Sequence, residues 1–330
     1  MYASVHNDAP MDNLCHTLVG AAFGEAGLKR RTRFGNATLM IASNLPDVDV
    51  LAFATGTPSV ALRRGWTHGI LAQLCLPILL TAIVMAVARG RPRAARSTPH
   101  GVSDDPPIRA RELLMLSYIG VITHVLMDLL NNYGVRLLMP FDRRWYYGDV
   151  LFIIDPWLWL VLGAGIWMAR WHHSPKRARA SLLVACAYVL TMTISARAGR
   201  AEIVDRWQQV AGQPPQAVMV GPVPVTPMRR NVIVDAGDHY ETGVFAWLPR
   251  NIRFDQAFVA KNDRDPRVAV AREAPNIRAF LVWSRFPFWT LEPVAGGTRV
   301  TVGDMRFAGG QGIARRNFTQ SVVVAERRGP

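Results

Sequence analysis

Long apolar runs, two of them ending at a basic cluster, dominate the N-terminal part of the chain. Residues 69–88 contain no charged side chain, and a helix of that length spans about 30 Å, the thickness of the hydrocarbon core of a bilayer. Comparable runs occupy residues 113–131, 150–169 and 181–196. The pattern therefore predicts an α-helical membrane bundle with about four full spans.

Two further apolar stretches, residues 14–28 and 37–54, are short or interrupted and predict two short helices in the same bundle. Basic residues cluster at 29–33, 89–96 and 170–179. Because the cytoplasmic loops of membrane proteins are enriched in Lys and Arg, we expect all three clusters in the cytoplasm. This orientation places the part of the chain that follows the last span on the outer side, which in a bacterium is the periplasm.

The character of the chain changes after the last apolar run. Strands are predicted by alternating β-branched and aromatic residues in five segments, NVIVDAG, ETGVFAWL, AFLVWSRF, TRVTVGDMRF and SVVVAE, and a hairpin turn is predicted at 295–297. We therefore expect a soluble, mostly antiparallel β-domain at 198–330. The membrane-embedded helical domain with the candidate site is expected at 11–197. Residues 1–10 are expected to be a disordered or non-native extension ahead of Met11.

The composition is typical of a chain that is partly membrane-embedded and partly soluble. Half of the 330 residues are hydrophobic, and the mean hydropathy is +0.11. The formal net charge is +14, but the basic clusters are divided among short loops, which disfavours nucleic-acid binding. The three cysteines form no Cys-x-x-Cys pair, so a thiolate zinc site and a disulfide framework are disfavoured as well.

Polar side chains interrupt the predicted bundle. His124 and Asp128 are four residues apart, so a helix places them on one face, one turn apart. With the orientation above, these two and four other His or Asp residues from distant parts of the chain fall near the outer membrane face. Polar groups in hydrocarbon are costly unless they are paired. The residues that we expect to converge are His16, Asp47, Asp49, His68, His124 and Asp128.

All six of these residues are of metal-ligating types, because imidazole and carboxylate groups bind zinc, manganese and iron(II). We therefore predict a site for one or two divalent cations, with zinc as the first choice. Bound cations would offset the cost of burying carboxylates and would activate a water for hydrolysis. The residues predicted to take part in catalysis are Asp49, Asp128 and His68, with Asp49 or Asp128 as the general base.

Two other interpretations of the polar cluster stay open. A His and Asp pair inside a membrane is also typical of the proton relay of an ion-coupled transporter, although the chain shows no inverted-repeat pattern. A membrane-anchored scaffold would use the same hydrogen bonds only to join helices. A hydrolase of the predicted kind requires bound metal, whereas the other two classes require none.

Arginines flank the predicted cluster at two places. Arg64 lies shortly before the first long span, and Arg143 and Arg144 follow the second. Guanidinium groups suit phosphate, so we predict that these arginines bind an anionic ester substrate, for example a membrane lipid. The alternative is that they lie at the bilayer interface beside Trp66 and residues 145–147, which are typical of an aromatic belt.

Four segments, in this order, resemble the motifs of a known family: MDNLCHTLVGAAFG, ASNLPDVDV, RRGWTHGIL and ITHVLMDLLNNYGVRLLMPFDRRWYYGD. They are similar to the membrane-bound, LexA-regulated metal-dependent hydrolase family of bacterial inner-membrane proteins, over residues 11–170. The resemblance implies a multi-helix protein of the bacterial inner membrane with metal-dependent hydrolase activity.

The resemblance also implies site residues. It carries over the six His and Asp residues named above as ligands or acid–base groups, and it adds Asp149 and Asp155, in YGDVLFIIDP, as further candidates. One departure concerns the segment before His68. The family pattern often has His-Arg-Gly there, where this chain has Arg63-Arg64-Gly65.

Overall fold

The structure is a computed structural model that describes residues 12–55, 64–90, 106–308 and 318–325. The chain divides into two compact units, one built from residues 11–49 and 64–192 and the other built mainly from residues 193–330. The prediction of an extension at residues 1–10 lies outside the described residues, as does Arg63.

The N-terminal part of the described chain is helical, as predicted. Its helices are α1 (Asn13–Glu25), α2 (Gly35–Ala42), α3 (Ile70–Gly90), α4 (Ala110–Leu130), α5 (Pro156–Trp171) and α6 (Pro175–Ala211). A 3₁₀ helix at Leu45–Thr55 follows α2. Aspartate side chains cap the N-termini of two helices. Asp12 accepts a hydrogen bond from a backbone N–H of α1, and Asp155 accepts two from α5.

Within the described part of the chain, three helices are long and apolar enough to cross a membrane, namely α3, α4 and α6. A helical region with candidate membrane spans is therefore confirmed, but the count of four spans is not. The predicted span at 150–169 is helical only at Pro156–Trp171, because a proline and its capping Asp155 start the helix late. The predicted span at 181–196 is part of α6, which continues to Ala211.

Small residues allow α2 to pack closely between α1 and α4. A Cβ atom added at Gly20 of α1 would lie 2.8 Å from the carbonyl oxygen of Leu39, and one added at Gly120 of α4 would lie 2.5 Å from the Ala42 side chain. A larger residue at either position requires a helix to move, because interiors are close-packed. The close approach brings the end of α2 against the polar face of α4.

The second unit contains two antiparallel sheets, which confirms the predicted β-domain. Its strands are β1 (Ala217–Pro222), β2 (Arg229–Asp235), β3 (His239–Trp247), β4 (Arg250–Phe254), β5 (Val259–Ala260), β6 (Pro287–Val294), β7 (Gly297–Asp304) and β8 (Thr319–Val324). The first sheet has the order β1–β2–β3–β4 with β5 on β3, and the second has the order β6–β7–β8. The predicted hairpin turn joins β6 and β7, where Val294 pairs with Gly297.

One predicted strand, AFLVWSRF, is wrong. Two short helices, α7 (Pro266–Ala271) and α8 (Pro275–Leu281), precede the second sheet, and α8 includes the start of this segment. Pro275 lies in the first turn of α8, a position that favours helix initiation. Ile277 and Phe280, three residues apart, are buried together on one face of the helix. The apolar run fits either structure, and the tertiary packing selects the helix.

The first sheet buries both of its faces, since neighbouring residues of a strand point to opposite sides. One face packs on the C-terminal part of α6 through Ile203, Trp207, Val218, Val220, Val232, Val234 and Phe245. The other face packs through Met219, Ile233, Tyr240, Phe286, Phe288 and Met305. The second unit therefore has two apolar layers, and α6 is part of one of them.

Candidate metal centre

Four buried His and Asp side chains from three separate segments converge. Asp47 belongs to the 3₁₀ helix after α2, His68 lies in the turn before α3, and His124 and Asp128 are one turn apart on α4. One potential ligand atom from each residue lies within 4.8 Å of those of the other three. The structure therefore brings four of the six predicted ligands into one group.

The separations within this group are those expected around a single metal ion. His68 Nε2 lies 3.1 Å from both His124 Nε2 and Asp128 Oδ2. Asp47 Oδ1 lies 3.8 Å from His68 Nε2 and 3.6 Å from His124 Nε2. Four ligands at about 2.1 Å from zinc in tetrahedral geometry stand roughly 3.4 Å from one another, which is within this range.

Hydrogen bonds outside the group orient its two imidazoles. His124 Nδ1 lies 2.8 Å from the carbonyl oxygen of Ser43. A carbonyl oxygen can only accept, so Nδ1 carries the hydrogen and Nε2 turns its lone pair toward the group. His68 Nδ1 lies 3.0 Å from the hydroxyl of Thr67, while His68 Nε2 faces the other ligand atoms. Metal-binding histidines are typically oriented in this way by a partner on the second ring nitrogen.

The charge of the site also fits a cation. Asp47, Asp49 and Asp128 are buried beside the buried guanidinium of Arg64, so with neutral imidazoles the site holds two net negative charges. Both carboxylate oxygens of Asp47 accept no hydrogen bond within the described part of the chain. Burial and the nearby Asp128 carboxylate raise the pKa of Asp47 to about 6. One divalent cation would balance the charge and give these oxygens a partner.

His16, the fifth predicted ligand, contacts the group from one side. Its ring stacks on that of His124 with the centroids 3.9 Å apart, and its Nε2 lies 3.6 Å from Asp128 Oδ1. A cavity of about 20 Å³, large enough for one water, lies beside it. The polar residues lining the cavity are Asp12, His16, Asp128, Asn131 and Asp155.

Asp49, the sixth predicted ligand, holds the turn that carries His68. Its Oδ2 accepts a hydrogen bond from the backbone N–H of Arg64 at 2.7 Å and another from the hydroxyl of Thr67 at 3.2 Å. The side chain of Arg64 was predicted to bind substrate. It is buried and donates to Asp128 Oδ1 and to Asn131 Oδ1, each at 2.9 Å. Arg64 therefore contacts the group through one of its carboxylates.

The remaining candidates are not members of the four-residue group, although Asp155 lines the small cavity beside Asp128. Arg143 and Arg144 are exposed, and Arg144 forms an ion pair with Asp142 at 2.7 Å. Asp149 is half-buried in the irregular segment between α4 and α5. Asp155 is buried, caps α5 and accepts a hydrogen bond from the hydroxyl of Tyr188 at 3.0 Å. Substrate binding by the two arginines stays a prediction.

Three residues that the sequence analysis did not select support the site. Thr67 directly precedes His68, and its position beside a candidate ligand could have identified it as a hydrogen-bond partner of that ligand. Asn131 ends α4 three residues after Asp128 and accepts a hydrogen bond from Arg64, which spacing alone could have suggested. Ser43 acts through its backbone carbonyl, and no side-chain pattern reveals such a contact.

An open groove of about 440 Å³ borders the group. Half of its lining residues are apolar, namely Met40, Ile41, Leu45 and Val48, and half are polar, namely Asn13, Thr17, Asn44 and Asp47. This volume is within the range of known ligand sites, roughly 300–1,000 Å³. The groove therefore lies beside one of the four grouped residues, Asp47, whose carboxylate oxygens are themselves buried.

The class of protein follows from two features: three helices able to cross a membrane, and a buried His/Asp group compatible with a metal ion. The chain is a helical membrane protein with a candidate metal centre and a C-terminal antiparallel β-domain. The model of the YdjM inner membrane protein family matches residues 11–199, more than half of the chain. The chain therefore belongs to this family, which confirms the resemblance at the level of the family.

The chain is also similar to the uncharacterized protein YfhP of Bacillus subtilis (strain 168). The two are 24% identical over 133 residues, which cover 39% of this chain and 36% of YfhP. The chain therefore spans little more than a third of the length of this relative. No solved structure matches the chain significantly.

Proposed function

We propose that this protein is a metal-dependent hydrolase of the inner membrane. Its residues Asp47, His68, His124 and Asp128 would hold a divalent cation, with zinc as the first choice and manganese or iron(II) as alternatives. The observation that carries the proposal is the convergence of four buried ligand atoms, in which each imidazole nitrogen stands 3.1–3.8 Å from the other three atoms. The neutral imidazole lone pairs and the net negative charge of the site support the same conclusion.

The proposed reaction is hydrolysis of a phosphoester or a similar ester. A bound cation supplies Lewis-acid polarisation of the ester and lowers the pKa of a water toward about 7. Asp49 is the proposed general base, since its Oδ1 is buried and accepts no hydrogen bond within the described residues. The water oxygen would bond to phosphorus as the P–O bond to the leaving alcohol breaks, and Asp49 would take a proton from the water and pass it to the departing oxygen. Asp128, held by Arg64, would remain a ligand.

The proposed substrate is an anionic ester carried by a membrane lipid. Four apolar residues of the groove beside Asp47, namely Met40, Ile41, Leu45 and Val48, suit an acyl chain, while Asn13, Thr17 and Asn44 give the same groove polar positions for an ester. A lipid reaches such a groove laterally from the bilayer, which gives a reason for a hydrolase to be housed in a membrane. Arg143 and Arg144, both exposed, are the proposed contacts for the anionic head group.

We also propose four membrane crossings and a periplasmic C-terminal domain. Helix α5 has 16 residues, about 24 Å of helix, and carries exposed tryptophans near both ends at Trp157, Trp167 and Trp171. A crossing by α5 brings the basic segment 170–179 to the same side as the basic segment 29–33. By the positive-inside bias that side is the cytoplasm, so residues that follow α6 are periplasmic.

The test is elemental analysis of detergent-purified protein, followed by a panel of phosphoesters and phospholipids. We expect about one equivalent of divalent cation per chain, which is removed in His124→Ala and Asp128→Ala. Hydrolysis is expected in wild type and lost in His68→Ala. His172→Ala, which changes an exposed histidine after α5, is the matched control and should keep both metal and activity.

Wild-type protein that holds no metal would contradict the proposal and would favour the transporter or scaffold interpretation. Metal that is retained in both His124→Ala and Asp128→Ala would place the cation elsewhere in the chain. Metal that is bound at this site without hydrolysis of any ester on the panel would leave a metal-binding membrane protein and would contradict the hydrolase activity.

A further inference from the structure

Two neighbouring turns of the first β-sheet expose large apolar side chains. Val225 and Met228 lie in the β1–β2 connection, and Leu248 lies in the β3–β4 turn, with 62%, 49% and 76% of their surfaces exposed. The two turns are joined, because the backbone N–H of Trp247 donates to the carbonyl oxygen of Met228 at 3.0 Å. We call Val225, Met228 and Leu248 the apolar tip.

The sheet is fixed to α6 just behind the apolar tip. The hydroxyl of Ser195 accepts hydrogen bonds from Arg230 Nε at 3.0 Å and from Trp247 Nε1 at 2.7 Å. Ser195 and Arg230 are both buried, so this junction is part of the packed interior. Trp247 directly precedes Leu248 in the β3–β4 turn, and Arg230 directly follows Arg229 at the start of β2. Both turns are therefore held at the level of Ser195 on the helix.

The direction of packing along α6 gives the apolar tip its position. Arg230 meets the helix at Ser195, whereas Val232 and Val234, farther along β2, share a core with Ile203 and Trp207. Moving toward the start of β2 therefore means moving toward the N-terminus of α6. The residues that precede β2, including Met228, therefore lie on the N-terminal side of the Ser195 level. Ser195 itself is near the end of the apolar stretch 181–196 of a helix able to cross a membrane.

Exposed arginines lie near the level of the apolar tip, on the side away from this apolar stretch. We call the exposed Arg197, Arg229 and Arg250 the arginine rim. Arg197 follows Ser195 by half a turn, Arg229 precedes the anchored Arg230, and Arg250 pairs with Glu202 at 2.7 Å. Apolar side chains at one level and guanidinium groups at the next are the arrangement found at a bilayer surface, where long basic side chains reach the head groups.

We propose that the apolar tip inserts into the interface of the bilayer that α6 crosses, and that the arginine rim contacts the head groups of anionic phospholipids. Exposed apolar side chains gathered at a single place mark interaction sites, and here the membrane-crossing helix supplies the bilayer beside them. Anionic head groups complement the charges of Arg197 and Arg229, which form no ion pair within the described residues. This contact makes the β-domain a membrane-surface domain and is independent of the proposed hydrolase activity.

The test measures the depth of the apolar tip in full-length protein reconstituted in nanodiscs. Met228→Cys, in a background with Cys75→Ser and Cys186→Ser, is labelled with a polarity-sensitive fluorophore. The control is Val323→Cys on β8, which is exposed to a similar extent, 48% against 49% for Met228. Doxyl-labelled lipid should quench the label at position 228 about threefold more than the label at 323, because interfacial side chains lie roughly 5–10 Å into the boundary.

Two outcomes would overturn the insertion. Equal quenching at positions 228 and 323 means that the apolar tip stays in water. A blue-shifted label at 228 that doxyl lipid does not quench means that protein covers the tip, either a second copy or another partner. Repeating the measurement with a label at Leu248→Cys guards against a local effect of the first substitution, because both turns should report the same depth.

The lipid specificity has its own test. Nanodiscs of phosphatidylglycerol are compared with nanodiscs of phosphatidylcholine, using labelled protein with and without Arg197→Gln and Arg229→Gln. We expect stronger quenching at position 228 in phosphatidylglycerol, and we expect the two substitutions to remove this difference. Equal quenching in both lipids, or a difference that survives loss of both arginines, would rule out head-group recognition by the arginine rim.

Discussion

His124 donates its Nδ1 hydrogen to the carbonyl oxygen of Ser43 at 2.8 Å, and this bond turns its Nε2 toward His68 Nε2 at 3.1 Å. Ser43 follows α2 and His124 lies on α4, so the packing of the two helices sets the direction of the imidazole. A ligand of the candidate metal centre is therefore oriented by backbone, and metal binding should depend on a helix contact that includes no ligand.

Gly120→Ala tests this dependence. The added methyl group would lie 2.5 Å from the Ala42 side chain and 2.9 Å from the backbone nitrogen of Ser43, so α2 and α4 must separate. We expect a loss of about 1–3 kcal/mol of stability, typical of overpacking, together with loss of bound metal. Thermal unfolding in detergent and elemental analysis measure the two effects.

Gly163→Ala is the matched control for this substitution. It lies within α5 and has nothing within 4 Å of the added atom. Alanine favours a helix over glycine by roughly 1 kcal/mol, so stability should stay the same or rise and metal content should not change. A Gly120→Ala protein that keeps its full metal content would show that the Ser43 carbonyl does not control the site.

Thr67 is predicted to tune metal affinity without binding metal. Its hydroxyl lies 3.0 Å from His68 Nδ1 and donates to Asp49 Oδ2 at 3.2 Å, so it links a ligand to the carboxylate behind it. Thr67→Val removes this link, and we expect metal to bind about 10–100-fold more weakly, the usual effect of losing such a partner. Competition with a chromophoric chelator gives the affinity, and Thr67→Ser should stay close to wild type.

Arg64 and Arg144 are predicted to differ sharply in their effect on stability. Arg64 is buried and pairs with Asp128 at 2.9 Å, whereas Arg144 is exposed and pairs with Asp142 at 2.7 Å. Removal of one partner of a buried pair costs about 3–5 kcal/mol, while exposed pairs contribute about 0–1 kcal/mol. Thermal unfolding of metal-depleted protein should therefore show a large loss for Arg64→Leu and little change for Arg144→Ala. Similar losses in both variants would count against the buried ion pair.

The acid stability of the β-domain is predicted to depend on Asp304. This carboxylate is fully buried and accepts hydrogen bonds from Arg306, from the Ser284 hydroxyl and from backbone N–H groups. Burial acts to raise the pKa of Asp304, but the Arg306 guanidinium outweighs it and holds the pKa below its usual range. A lowered pKa stabilises the fold above the unfolded value of about 3.9, and this contribution is lost as the pH falls through the folded value.

Asp304→Asn is therefore expected to lower stability at neutral pH by about 3–5 kcal/mol, since Arg306 is left buried without its partner. Its unfolding temperature should also fall less steeply than that of wild type below about pH 4. Near-ultraviolet circular dichroism, which reports on the buried Trp283 and Trp289, follows the transition. The control is Asp265→Asn, at an exposed helix start where asparagine caps as well as aspartate.

Local pattern was sufficient for much of the architecture. The uncharged run at 69–88 predicts α3 to within two residues, because only a helix of that length and composition satisfies its backbone in hydrocarbon. The alternation in TRVTVGDMRF predicts β7 for a similar reason, since a sheet buries every second side chain. Local pattern failed at AFLVWSRF, where an apolar run fits a helix or a strand equally well until its neighbours are known.

By itself the sequence determined that six His and Asp residues need polar partners or a bound cation, because uncompensated polar groups are costly beside a membrane. The tertiary structure alone decided that Asp47, His68, His124 and Asp128 meet, while His16 and Asp49 contact them from outside. The physical reason is that these distances depend on the close packing of α1, α2 and α4 and on a backbone carbonyl. Neither the helix packing nor the carbonyl contact produces a periodic pattern of residue types in the sequence.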